Sequence, residues 1–187
     1  MFYDYGPGGN VIYQREHMYV NGQDVGTAAD YARSAALLAT VDPQMAQSTS
    51  SADQWTALGT FAMDTSETDT SSTRLLQLAV DQNGIISGTM HNTSTKQSHL
   101  VQGRVDQQSQ RVAFTIGDKS NVVLETGIYN LTQPQAPILV HFGTDHTEHY
   151  FLVRLDPPDE PKNEKESHES KSLKNTGSNT TSASLAK

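Results

Sequence analysis

No cysteine occurs in this 187-residue chain. Disulfide scaffolds, zinc–thiolate centres, iron–sulfur clusters and thiol nucleophiles are therefore excluded, while the compartment stays open. Long apolar runs are lacking as well. None reaches the ~18 residues that a membrane helix needs, so direct membrane insertion is not expected. The first ten residues, MFYDYGPGGN, contain no basic segment leading into an apolar one, and no signal peptide is read there. Basic residues are few: 13 Lys and Arg stand against 21 Asp and Glu, for a formal charge of −8. Nucleic acid and anionic lipid both require clustered cations, so neither is expected as a partner. Apolar residues make up 35% of the chain, against about 45–50% in a packed globule. Part of the chain should then lie outside any core.

What is present begins with punctuation. Residues 1–10 are rich in Tyr and Gly and read as an irregular lead-in. Residues 11–26, VIYQREHMYVNGQDVG, read as a small β-meander. Asn21-Gly22 accepts the positive φ of a two-residue type I′ hairpin. A helix should follow, with Thr27 as N-cap and Asp30 in its first turn. Tyr31, Ala35, Leu38 and Val41 recur at helical spacing, and Asp42-Pro43 stops the helix. Residues 1–42 thus form an N-terminal hairpin or meander plus one helix. Residues 43–54, dominated by Ser, Thr, Gln and Asp, are a linker by composition.

From Trp55 the period becomes two. WTALGTFAM places Trp55, Ala57, Phe61 and Met63 together. LLQLAV places Leu76, Leu78 and Val80 together, and IISGTM does the same for Ile86 and Met90. Val101, Gly103 and Val105 share a face, with Leu100 opposite. Val112, Phe114 and Ile116 align, as do Val122, Leu124, Thr126 and Ile128. Ile138, Val140 and Phe142 form the next row. Phe151, Val153 and Leu155 form the last, with Arg154 opposite. Such alternation marks half-buried strands. Short polar connectors such as DQNG (81–84), DQQSQ (106–110) and GDKSN (117–121) join antiparallel neighbours. The fold class is therefore mainly β: an eight-stranded antiparallel up-and-down meander over 55–155. Closure into a small barrel is preferred to a sandwich, because it protects the edges. Residues 156–187 have mixed charge and almost no large apolar side chains, so a disordered tail is expected.

Chemistry is thinly signalled. His141, Asp145, His146 and His149 fall within nine residues and carry metal-ligand atoms. The three histidines lack the i, i+4 or H-x-H spacing that would make them converge, and no metal site is expected. No GxSxG elbow, Walker loop, GxGxxG or HExxH occurs. Glu125 is the only acid at a strand centre, and by alternation it faces away from Leu124 and Thr126. No catalytic residues and no cofactor are assigned, and ligand-binding positions stay open. Inward positions are nearly all Leu, Val, Ile, Phe and Met, with Thr126 almost the only polar one, so the interior reads as packing. The 130–137 connector, NLTQPQAP, reads as the longest in the meander and the best place for a lid or contact loop. Asn92, Asn130 and Asn179 head N-x-S/T triplets, which arise readily by chance in a Ser/Thr-rich chain.

Taken together, the MYVNGQ hairpin, the GTAADYARSAALLA helix, W-x-x-LGTFAM, LQLAVDQNGIISGTM, VQGRVDQQSQRVAFTIG, LETGIYNLTQ and ILVHFG resemble a planctomycete protein family. Its members are labelled cell-surface, mu-protocadherin-like proteins. The resemblance covers about residues 3–155 and implies an envelope or cell-surface location, with no catalytic residues to carry over. The absence of a signal peptide leaves a cytoplasmic place open, and a shortened start at Met1 would explain it. WTALGTFAM alone is similar to the first strand of the avidin family, where a Trp precedes a Leu-Gly-Ser/Thr step. That family's biotin-contacting Asn is absent here, the Trp-to-Leu spacing is one residue shorter, and Trp55 is the only tryptophan. Biotin binding is not expected. The functional expectation is a non-catalytic, envelope-associated β-module that binds or scaffolds a macromolecular partner. The alternatives are a carrier of a small apolar ligand in the barrel and, second, a hydrolase without a recognisable motif.

Overall fold

The computed structural model describes residues 2–6, 9–42, 54–118 and 121–156. The expected linker lies almost wholly, and the expected tail nearly so, outside the described residues. Met1–Asp156 cluster as one compact unit.

Four short strands open the chain: β1 (Phe2–Gly6), β2 (Gly9–Gln14), β3 (His17–Val20) and β4 (Gln23–Thr27). They form one antiparallel sheet in chain order. The expected irregular lead-in is thus replaced by a strand. Tyr3 pairs with Val11 and Gly6 with Gly9, so β1 and β2 lie antiparallel. Asn21 and Gly22 have φ of 52° and 78°, and Val20 pairs with Gln23 around them. This is the geometry that Asn-Gly favours.

Helix α1 (Ala28–Ala39) follows directly. The Thr27 hydroxyl accepts from the Asp30 N–H at 3.1 Å, satisfying one of the free donors of the first turn. The buried positions are Tyr31, Ala32, Ala35 and Ala39. Small side chains on that face let α1 lie close against sheet.

Eight further strands close into a barrel: β5 (Trp55–Asp64), β6 (Arg74–Asp81), β7 (Ile85–Asn92), β8 (Gln97–Asp106), β9 (Arg111–Ile116), β10 (Val122–Gly127), β11 (Gln135–Phe142) and β12 (His146–Arg154). Each pairs antiparallel with its chain neighbour, and β12 returns to pair β5 through Leu152↔Met63 and Arg154↔Phe61. Closure removes both free edges. The tight β6–β7 turn is held by Asp81, whose Oδ1 accepts from the N–H groups of Asn83 (2.9 Å) and Ile85 (2.6 Å). Inside lie Phe61, Leu76, Leu78, Ile86, Val101, Val112, Phe114, Leu124, Ile138, Val140 and Leu152, all buried.

Two facing assignments are corrected. In β5 the register shifts between Ala57 and Gly59, where Gly59 takes φ 136°. This β-bulge flips the alternation, so Leu58 joins the interior with Phe61 and Met63. Ala57 instead pairs with Ala79 on the outer face. In β12 the interior row is Tyr150, Leu152 and Arg154, not Phe151 and Val153. Both faces of that strand are apolar, so alternation alone does not choose between them.

Candidate functional site

The barrel has two unlike ends. At one, the 130–137 connector folds into a 3-10 helix, Asn130–Thr132, and Leu131 is fully buried. Arg154 enters from β12 and lies over the Phe61 ring, 4.8 Å from its centroid. Its guanidinium donates to the carbonyls of Leu58 (2.8 Å), Leu131 (2.5 Å) and Gln133 (3.3 Å). Gly59 makes room for it, since a Cβ there would strike the guanidinium. The Asn130 amide donates to the Thr126 hydroxyl, which donates to the Pro137 carbonyl. The connector is therefore a packed plug, and the lid expectation is overturned. It is also not the longest connector: residues 65–73, between β5 and β6, exceed it. Pro137, read from the sequence as the end of this connector, sits inside β11.

The other end is open. Here the interior side chains stop short of filling the barrel and leave a cavity of about 500 Å³. Its apolar walls are Met63, Met90, Ile116, Val122, Leu124 and Val140. Tyr150 and Phe142 stand at the rim with three ionisable groups, Arg74, His99 and Asp118. Arg74 is on the inner face of β6 by alternation with Leu76 and Leu78, and His99 is on the inner face of β8 with Val101. The interior is thus packed in its lower half and hollow in its upper half. Sequence reading missed this because volume inside a barrel depends on closure, not on the type of any one residue.

A buried charge network lies on the outer wall, beneath α1. Glu125 is fully buried. Its Oε1 accepts from the Tyr31 hydroxyl (2.6 Å) and from Arg111 Nε (2.7 Å). Its Oε2 accepts from Arg111 Nη2 (2.8 Å) and faces His141 Nε2 (3.0 Å). Arg111 also donates to the Ser34 hydroxyl and the Tyr31 carbonyl, and it lies 4.1 Å from the centroid of the Tyr31 ring. Burial pushes the Glu125 carboxyl well above the usual range, while the Arg111 fork opposes this by donating to the charged form. Burial and then the Arg111 cation lower His141 to about 4, so its ring is neutral at neutral pH. With Nε2 carrying the proton toward Glu125, Nδ1 accepts from the Thr147 hydroxyl at 2.9 Å. Tyr31 and Ser34 of α1 are thereby tied to Arg111 of β9 and Glu125 of β10, with His141 of β11 beside them. Glu125 does face away from the barrel interior, as its position in the alternation requires. That the outer face is itself covered by a helix was not legible.

The four metal-ligand residues are not brought together. His141 is in the network, His146 Nε2 meets Glu148 Oε1 at 2.9 Å, and His149 packs edge-on against Phe151. Asp145 is exposed in the β11–β12 turn. Among the described residues no group of three or more His, Asp or Glu could hold a metal ion. A smaller hollow of about 250 Å³ lies between the N-terminal sheet and the β11–β12 hairpin, lined by Met18, Tyr31, His141 and Thr147 among others. Asn130 is buried, and Asn92 Oδ1 accepts from the N–H groups of Ser94 and Thr95. Asn179 lies outside the described residues. No described helix is long and apolar enough to cross a membrane. Compared with protein-family models, with curated proteins and with solved structures, the chain finds no match.

Proposed function

We propose that this protein is a non-enzymatic carrier of a small, mainly apolar ligand held in the open half of the barrel. The observation that supports this is the cavity of about 500 Å³, walled by Met, Ile, Val and Leu, above a plugged lower half. Ligand sites are commonly concave, apolar and roughly 300–1,000 Å³, with a few polar groups to set orientation. Eight-stranded barrels of this size either fill with side chains or hold one small ligand. The polar groups here are confined to the rim, where a ligand would enter.

The test is titration with a neutral apolar fluorophore, N-phenyl-1-naphthylamine. One molecule should bind per chain, and Val122→Trp, which projects into the cavity, should abolish binding while the fold is retained. A saturable signal that Val122→Trp leaves intact would refute the cavity as the site. Native mass spectrometry of protein purified from its own host adds the decisive contrast with the envelope-scaffold reading. A bound small molecule that leaves on denaturation favours the carrier. A co-purifying macromolecule with an empty cavity favours the scaffold. The envelope location rests on the family resemblance, and cell fractionation tests it.

A further inference from the structure

We infer that the ligand carries an anionic head group, a carboxylate on an apolar body, and that Arg74 receives it at the mouth. This rests on the carrier reading above. Arg74 opens β6 with its side chain on the inner face, half-buried at the cavity rim. Its guanidinium lies over the Tyr150 ring, 5.2 Å from the centroid. That contact holds the cation toward the cavity without neutralising it. Among the described residues no carboxylate pairs with it. Of the acids that most closely precede it in the chain, Glu67 acts electrostatically on His149, and the other two are engaged in their own turns. Asp69 Oδ1 accepts from the N–H and hydroxyl of Ser71, and Asp64 Oδ1 from the N–H of Thr65. Glu148 accepts from the Tyr150 hydroxyl at 3.0 Å and from His146.

Asp118 is the other carboxylate at the mouth. It belongs to the β9–β10 turn, three strands from β6 on one side and four on the other, and so on the far side of the barrel. It is exposed to solvent and stays hydrated. Arg74, by contrast, loses part of its hydration on an apolar rim. A planar guanidinium there suits a carboxylate, which it binds through two parallel N–H donors. An apolar tail then runs down past Met90 and Leu124, and the charged end stays at the water boundary.

Decanoate and decanol differ only in the head group, and each is used to displace N-phenyl-1-naphthylamine from the wild type, Arg74→Gln and Arg74→Lys. Arg74→Gln should weaken decanoate about tenfold and leave decanol unchanged, since bonds to charged groups contribute more than neutral ones. Arg74→Lys should restore part of the loss. Decanol binding by Arg74→Gln shows that the variant is folded. If Arg74→Gln alters both ligands equally or neither, the head-group assignment is overturned and the carrier reading stands. If folded wild-type protein binds neither the fluorophore nor either ligand, both are overturned.

Discussion

Glu125 is a fully buried carboxyl group, and its four donors are what keep it there. Removing one partner of such a pair costs more than the pair contributes, because the other charge is left buried and unmatched. Glu125→Ala should therefore destabilise the protein by about 3–5 kcal/mol, measured by urea denaturation, by stranding Arg111. Replacing both partners, Glu125→Leu with Arg111→Met, should recover much of that loss. An additive double variant would show that the two side chains do not interact. His141 makes a separate, pH-dependent contribution. Its folded pKa of about 4 lies below the unfolded value of 6.5, so the unfolded chain binds a proton more readily. Its contribution is complete above pH 6.5 and is lost as the pH falls through 4. Subtracting the stability of His141→Gln from that of the wild type should expose a slope of up to about 1.4 kcal/mol per pH unit in that window. A flat difference would mean that His141 titrates normally.

Among the elements, β8 and β9 show how closely the barrel backbone is drawn together. Gly103 pairs with Phe114, and a Cβ at Gly103 would overlap the Ala113 carbonyl and Phe114. No rotamer change relieves a clash with backbone, so the strands would have to part. Gly103→Ala should cost at least about 1–3 kcal/mol, as overpacking does, in thermal or urea unfolding. A change within 0.5 kcal/mol, the scatter of surface substitutions, would mean that the pairing is looser than described. The same economy of space operates under α1, where Ala35 and Ala39 meet Ala113 and Val123. Leu37, on the opposite face of the helix, is 73% exposed.

Across the whole molecule, the N-terminal segment and the barrel share buried surface. Val11, Met18 and Tyr31 pack on Leu139, and Tyr31 and Ser34 supply partners to Glu125 and Arg111. Opening α1 alone would expose a buried ion pair, which makes local opening costly. Native-state hydrogen exchange should accordingly protect the amides of α1 as strongly as those of β9 and β10. Exchange from α1 orders of magnitude faster would show a helix that opens by itself. The barrel's polarity is a property at this same scale: Arg154 and Leu131 seal one end, and the cavity occupies the other.

Much of the local structure was legible in the residues. Asn21-Gly22 specified its hairpin, Thr27 its helix start, and alternation with short polar connectors specified eight antiparallel strands. These are short-range effects of φ preference, capping and side-chain direction, which act wherever the residues stand. Tertiary structure decided the rest. Closure joined β12 to β5, and only then did the side chains enclose a defined volume and leave the mouth hollow. The Gly59 bulge reversed one strand's facing, because a single extra residue shifts a period of two. Docking of α1 turned Glu125 from an outward acid into a buried one, since alternation separates two faces of a sheet but cannot say whether the second is covered. For the same reason Arg74, one charged residue among many in the sequence, became a cation at the rim of an apolar cavity.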